Sequence, residues 1–320
     1  MIKKHSVTLL TILLFLLLVL NPGTSLIGAK NGLLLWFNTI FPTLLPFMII
    51  ANLMLKFQVT NCLTKLFYPI LGKILGVSRQ GCYPIIVGML SGYPVGAKIC
   101  AEMVKNNEIS LQEGQFLLCF CNNVSPMFVI SFIAIECLNC EKSAYLILGV
   151  LLGSTLAGAL FFRFFHNLFC KKSNQHIPCP ILSTPLSCNQ TMQGGIFKTI
   201  DSAIQEAFEV LVKIGGYIIL FSILAQLLIS MTILPFAMRL LFTGFLEITN
   251  GIALISISSL SFTKKIVLIN FITGFGGLSS IAQTNSVISD SGLSIKQYSA
   301  AKLFCGFLSG TLTFLLINIF

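Results

Sequence analysis

The side chains best suited to chemistry in this sequence are polar groups set inside long apolar stretches. Glu247, Thr249 and Asn250 lie between Leu240 and Leu254. Because an ionisable group at membrane depth is costly, it usually faces a cavity or a partner. Glu247 could coordinate a cation, take a proton, or bind an amine or hydroxyl group of a substrate. The plainer interpretation is an interfacial residue near a helix end.

A second polar intrusion interrupts the apolar run from 116 to 135. Asn122, Asn123 and Ser125 place two amides and a hydroxyl beside Pro126. Proline removes a backbone donor and obstructs the preceding helical turn, so the polar groups coincide with a predicted helix interruption.

A third segment, residues 88–98, reads Gly-Met-Leu-Ser-Gly-Tyr-Pro-Val-Gly-Ala-Lys and is otherwise apolar enough to enter a bilayer. Pro94 makes a straight helix here unfavourable. Backbone groups released by such a break must face protein or a water-filled cavity, which is where transporters bind their substrates. Gly88, Gly92 and Gly96 recur every four residues, so helix packing is an alternative role for them. Lys98 favours snorkelling toward an interface over contacting a ligand.

The stretch 273–285 forms a fourth candidate segment, interrupted by glycine and lined with small polar groups. Paired Gly- or Pro-interrupted apolar segments at matching positions of two halves indicate a transporter binding site. Together the four segments supply the candidate substrate-binding residues: Ser91, Gly92, Tyr93, Pro94, Gly96, Lys98, Asn122, Asn123, Ser125, Glu247, Asn250, Gly274, Gly276, Gly277, Ser279 and Gln283.

The sequence lacks the motifs of a hydrolytic enzyme. Its three histidines, His5, His166 and His176, lie away from carboxylates that could orient a catalytic imidazole. Phosphate-binding loops and the His-Glu-x-x-His zinc motif are absent. We therefore expect neither catalysis nor a cofactor.

The cysteines do not form a convincing metal site. Cys137 and Cys140 have half-site spacing, but no second pair completes four ligands, so we expect no bound metal. The polar loop with Cys170, Cys179 and Cys188 leaves a weak metal or disulfide alternative.

The amino-acid composition indicates an integral membrane protein, most of which is embedded in the lipid bilayer. Hydrophobic residues make up 55% of the 320 positions and charged residues only 9%, against about a quarter in soluble domains. The formal charge is +10, but the basic residues flank apolar runs, as topology determinants do. This distribution argues against a nucleic-acid partner.

The order of segments predicts an all-α, polytopic transmembrane helical bundle. Residues 1–22 have a basic start and an apolar run, shared by signal peptides and first membrane helices, and we favour a retained anchor. Amphipathic stretches are predicted at 61–76 and 200–210, the latter before separate apolar segments at 212–233 and 235–258. A polar linker, 166–195, divides the chain. The pattern predicts eight to ten membrane-embedded helices.

The two sides of the linker repeat in ordered blocks. Residues 47–55 align with 221–229, and residues 85–93 align with 267–275. A shorter match joins 109–112 to 293–296. Internal repeats are common in secondary transporters, so we expect two related halves with paired broken helices.

These motifs resemble the sporulation integral membrane protein YlbJ family, within the wider nucleoside recognition, or Gate, domain group. The resemblance rests on Phe-Pro-Thr-Leu-Leu-Pro at 41–46, Ser-Gly-Tyr-Pro-Val-Gly-Ala-Lys at 91–98, Asn122 to Pro126, residues 214–221, Phe-Leu-Glu-Ile-Thr at 245–249 and Gly-Phe-Gly-Gly-Leu-Ser at 274–279 through Gln283. It implies a multi-pass cell-membrane protein of endospore-forming bacteria, associated with heat-resistant spores. Residues 28–165 and 196–320 would be two Gate-like repeats.

Our leading interpretation is a transporter or channel for a small polar solute or a cation. The alternative is a membrane scaffold that organises spore-envelope assembly without transport, its glycines serving only helix packing.

Overall fold

The computed structural model describes residues 2–57, 59–169, 195–231 and 233–319. Every regular element in these ranges is helical. Two π-helical segments, Trp36–Ile40 and Phe128–Cys137, continue helical runs. The α-helices in chain order are α1 (Ile2–Leu20), α2 (Pro22–Leu35), α3 (Phe41–Lys56), α4 (Thr60–Leu75), α5 (Cys82–Ser91), α6 (Val95–Lys105), α7 (Leu111–Cys121), α8 (Lys142–Phe169), α9 (Ile196–Ser230), α10 (Phe236–Leu246), α11 (Ile248–Ile257), α12 (Phe262–Phe275), α13 (Gly277–Ile288) and α14 (Ile295–Ile319).

Five helical stretches of the described chain are long and apolar enough to cross a membrane. They are Pro22–Met54, Lys142–Phe164, Ile196–Ser230, Phe262–Ile288 and Ile295–Asn318. A crossing needs about 20 predominantly apolar residues. The predicted all-α, multi-pass membrane architecture is confirmed; the internal repeat stays a prediction.

The long helices pack closely where small residues lie between them. α2 lies against α9, and a Cβ added to Gly28 would lie 2.7 Å from the Cα of Ile223. The Trp36 indole donates to the Leu211 carbonyl oxygen at 3.0 Å. Farther along, the Lys56 ammonium and the Glu206 carboxylate form an ion pair at 2.7 Å. These contacts join the helices before and after the polar linker.

The helix boundaries differ from the sequence prediction at two places. The amphipathic stretch 200–210 and the apolar segment 212–233 form one helix, α9, of 35 residues. No glycine or proline separates them, and the buried residues Val210 and Leu211 continue the packed face through the expected boundary. The expected apolar segment 235–258 is instead two helices, because the chain leaves helical geometry at Glu247 (φ −144°, ψ 120°).

Four of the helix interruptions within the described ranges divide apolar segments at polar residues or glycine. We call them the four breaks: residues 92–94, residues 122–125, Glu247 and Gly276. Gly92 (φ +82°) and Gly276 (φ +89°) adopt backbone conformations that L side chains rarely adopt. All four lie within segments whose polar interruptions the sequence analysis identified.

The predicted linker lies largely outside the described residues. α8 extends to Phe169 and therefore includes His166, while the chain is described again from Gly195, just before α9. The candidate loop ligands Cys170, Cys179, Cys188 and His176 lie outside the described residues.

Gly88 provides a test of the packing around the first break. A Cβ at this position would lie 2.0 Å from the Cys121 carbonyl oxygen, which belongs to backbone and cannot swing away. We expect Gly88→Ala to lower the free energy of unfolding by about 1–3 kcal/mol, as overpacking does. The measurement is denaturation of the purified protein in mixed micelles.

Gly149→Ala is the matched control, since a Cβ there has no atom within 4 Å. It should be neutral or stabilising by up to about 1 kcal/mol, because alanine favours a helix over glycine. Equal effects of the two substitutions would contradict the packing at Gly88.

Candidate functional site

The four breaks contact one another in a row. A Cβ on Gly92 would lie 2.9 Å from the Ser125 amide nitrogen. A Cβ on Gly276 would lie 2.5 Å from the Tyr93 hydroxyl oxygen. Next to it, a Cβ on Gly277 would lie 3.5 Å from the Leu246 carbonyl oxygen, at the end of α10. The breaks before and after the linker therefore meet inside the bundle.

A cavity of about 60 Å³ lies where the breaks meet. Three of the breaks and the helix that follows Gly276, α13, contribute polar residues to it, and α3 and α9 flank it with apolar side chains. Six of the predicted site residues line it together with Thr249 and Ser280. These six are Gly92, Tyr93, Ser125, Glu247, Ser279 and Gln283.

Glu247 is the acidic group of this cavity and is only 2% exposed. It precedes α11, and its Oε2 accepts hydrogen bonds from the backbone and side-chain nitrogens of Asn250 at 2.8 and 2.7 Å. The Thr249 hydroxyl also donates to Oε2. A helix N-terminus and three donors stabilise a carboxylate anion. No described group donates to Oε1, so this oxygen is available to a ligand.

Asn250 contributes indirectly. Its side-chain nitrogen donates to the Ser222 hydroxyl at 2.7 Å as well as to Glu247. It thereby fixes the carboxylate against α9 and positions it rather than lining the cavity.

Lys302 is the functional candidate that the sequence analysis missed. It lies about two turns after the start of α14, in a segment apolar enough to cross a membrane, and is 1% exposed. Its ammonium donates to Asn123 Oδ1 at 2.7 Å and lies 5.3 Å from the centre of the Tyr93 ring. In the described part of the chain it forms no ion pair with a carboxylate. The signal was available, because an ionisable residue inside a membrane segment is itself an indication of function.

Tyr93 connects the Glu247 cavity to the Lys302 contact. It lines the cavity, faces Lys302 with its ring, and its hydroxyl donates to the Thr273 carbonyl oxygen at 3.5 Å. Thr273 and Asn123 line a second cavity of about 30 Å³. Both cavities touch Val124. The two polar regions are therefore neighbours separated by Tyr93 and Val124.

Asn122 holds the second break against the other half of the chain. Its side-chain nitrogen donates to the hydroxyls of Thr284 and Tyr298, both at 2.9 Å. Its Oδ1 is buried without a hydrogen-bond partner among the described residues. An unpartnered buried acceptor is costly. A water molecule or a solute could therefore donate a hydrogen bond to this oxygen.

Several predicted site residues lie outside the 60 Å³ cavity. Gly96 packs against the Cys121 carbonyl oxygen, and Gly274 packs against Ser309 of α14. The Lys98 ammonium pairs with Glu102 at 3.7 Å, and its place near a membrane interface stays a prediction. Ser91 and Pro94 are buried at the first break without lining the cavity.

One relative links this arrangement to a known protein. The chain is 29% identical to the sporulation integral membrane protein YlbJ of Bacillus subtilis (strain 168) over 344 aligned positions, which cover 98% of this chain and 83% of the relative. This similarity extends over nearly the whole chain and supports a place in the YlbJ family. The chain is therefore a multi-spanning homologue of a sporulation membrane protein, as its long apolar helices also indicate.

The other comparisons add no further assignment. No family model matches the sequence, and no solved structure is significantly similar. Its placement in the nucleoside recognition group stays a prediction. Among the described residues, no group of three or more histidine, cysteine or acidic side chains is placed to hold a metal ion.

The Lys302–Asn123 contact predicts a measurable coupling. Asn123→Ala removes the described acceptor of a buried ammonium, which should cost about 1–3 kcal/mol of unfolding free energy. In a Lys302→Met background the same substitution should cost at least about 1 kcal/mol less, because no charge is left unpaired. Denaturation of the four proteins in mixed micelles measures the cycle.

Lys296→Met, an exposed position on the same helix, is the control background. There Asn123→Ala should retain its full cost. An equal cost in all three backgrounds would contradict the coupling.

Proposed function

We propose that this YlbJ-family protein is a transporter or channel that moves a small polar solute across a membrane. The observation that supports the proposal most is the meeting of the four breaks beside one cavity that contains a buried carboxylate. Buried ionisable groups and discontinuous helices are typical of permeation pathways.

The size of the cavity supports a closed state of such a pathway. A volume of about 60 Å³ holds several water molecules, since one water needs roughly 10–15 Å³. A larger solute would enter only after the breaks move apart. Tyr93 and Val124, which separate the two cavities, are the side chains that would move first.

Flux through the purified protein tests the proposal. Proteoliposomes containing the wild type should take up or release at least one solute from a panel of nucleosides, small organic acids and divalent metals. Glu247→Gln keeps the shape of the side chain but removes its charge, and we expect at least a tenfold lower rate. Glu136→Gln, an exposed acid at the end of a π-helical segment, should transport normally.

Flux no greater than that of empty vesicles for every class of solute would contradict transport. So would equal flux through the wild type and Glu247→Gln. Protein abundance in the vesicles is measured in each case, so that a poorly inserted variant is not counted as an inactive one.

A non-transporting scaffold for spore-envelope assembly is the second candidate, and the glycine contacts favour it. Gly28, Gly32, Gly88 and Gly96 all lie so close to neighbouring helices that a Cβ would approach within 3.0 Å of other atoms. Such packing would give the bundle a rigid shape without any pathway.

The two candidates predict different phenotypes for cavity variants. In Bacillus subtilis lacking its own relative, Asn123→Ala and Glu247→Ala proteins that accumulate normally should fail to restore heat-resistant spores if transport is needed. Under the scaffold alternative, both should restore them fully. Counting heat-resistant spores beside immunoblots of the protein separates the two.

A further inference from the structure

We propose that the Glu247 cavity binds a monovalent cation, with sodium as the probe of choice, held between the Glu247 Oε1 atom and neutral oxygens of the neighbouring breaks. This inference deepens the proposed transport function by assigning a second bound species to the same site. Among the described residues, no basic side chain lies within ion-pair distance of the Glu247 carboxylate.

The carboxylate is arranged as an anion with one oxygen left open. Three hydrogen bonds converge on Oε2, and the residue caps the N-terminus of α11. These donors stabilise the negative charge without neutralising it. A buried charge needs a counter-charge, since an isolated one in apolar surroundings is very costly. Glu247 lines the cavity, and no described group donates to its Oε1, so a mobile cation in the cavity could supply that charge.

Residues that carry neutral oxygen atoms line the same cavity as Glu247. They are Thr249, Ser125, Ser279 and Ser280. α10 ends immediately before Glu247, and its Gly244 and Leu246 carbonyl oxygens point toward Gly277, where a Cβ would lie 3.5 Å from each. The C-terminal end of a half-helix carries partial negative charge and favours cations.

The charge count selects a monovalent ion. One carboxylate balances one positive charge, whereas a divalent ion would leave an uncompensated charge among buried apolar side chains. Divalent sites normally recruit more than one acidic ligand. Glu247 is the acidic residue among those that line the cavity.

Lys302 does not fill this role. Its ammonium donates to Asn123, lies against the face of the Tyr93 ring and forms no ion pair with Glu247. Tyr93 therefore stands between the two charged groups, and the cation site lies on the Glu247 side.

Thermal stability of the detergent-purified protein tests the site directly. A ligand that binds only the folded state raises the thermal midpoint in a saturable way. At constant ionic strength and pH, replacing N-methyl-D-glucamine chloride by sodium chloride should raise the midpoint of the wild type. Glu247→Gln should lose this dependence, and Ser279→Ala should weaken the apparent sodium affinity at least threefold. Glu136→Gln should respond like the wild type.

Each alternative outcome has a distinct reading. A rise that persists in Glu247→Gln, or that choline chloride produces equally, would overturn the cation site. A midpoint that depends on pH through Glu247 but not on sodium would assign a proton instead and also overturn it. Ser279→Ala decides the question if Glu247→Gln does not fold: an unchanged sodium response would count against the site.

The test is independent of transport. Sodium stabilisation without flux would contradict the proposed function and leave the cation site standing. Flux without sodium stabilisation would contradict the cation site and leave the proposed transport function standing.

Discussion

Backbone hydrogen bonding is the constraint on which this arrangement depends. A helix that stops inside a membrane leaves amide and carbonyl groups without partners, and lipid offers none. One isolated interruption would therefore be severely destabilising. Four interruptions that lie against one another can share side-chain partners and trapped water. The row of contacts from Ser125 through Gly92, Tyr93 and Gly276 to Leu246 follows from this requirement.

The same constraint explains why polar side chains concentrate at the breaks. Glu247 satisfies the first turn of α11, and the Ser125 hydroxyl accepts from the Phe128 amide at 3.2 Å. These groups are structural caps and also the lining of the cavity. A cap that faces a cavity keeps lone pairs available, so the chemistry that stabilises the break can also bind a ligand.

Much of the fold and part of the site follow from sequence, for identifiable reasons. Helix interruptions can be predicted at Pro94, at Pro126 and at the glycines of 274–277, because proline and glycine disfavour a continuous helix through their own backbone preferences. The break at Glu247 has no such residue, so the segment 235–258 reads as a single apolar helix although its polar groups were recognised. α9 shows the opposite case, where a change from amphipathic to apolar composition did not end a helix. Lys302 could have been singled out as an ionisable residue in an apolar segment, but its contact with Asn123 joins positions 179 residues apart and could not be read from the sequence.

The two roles considered for the glycines belong to different glycines. Gly88 and Gly96 lie within helices and have ordinary helical backbone conformations. Both lie against the Cys121 carbonyl oxygen, so they allow α5, α6 and α7 to approach closely. Gly92 and Gly276 have positive φ values and stand where the helices stop. Close approach brings the breaks together, and the unusual backbone conformations create them. Close packing and helix interruption are therefore linked requirements: without the first set of glycines, the interrupted helices could not lie against one another.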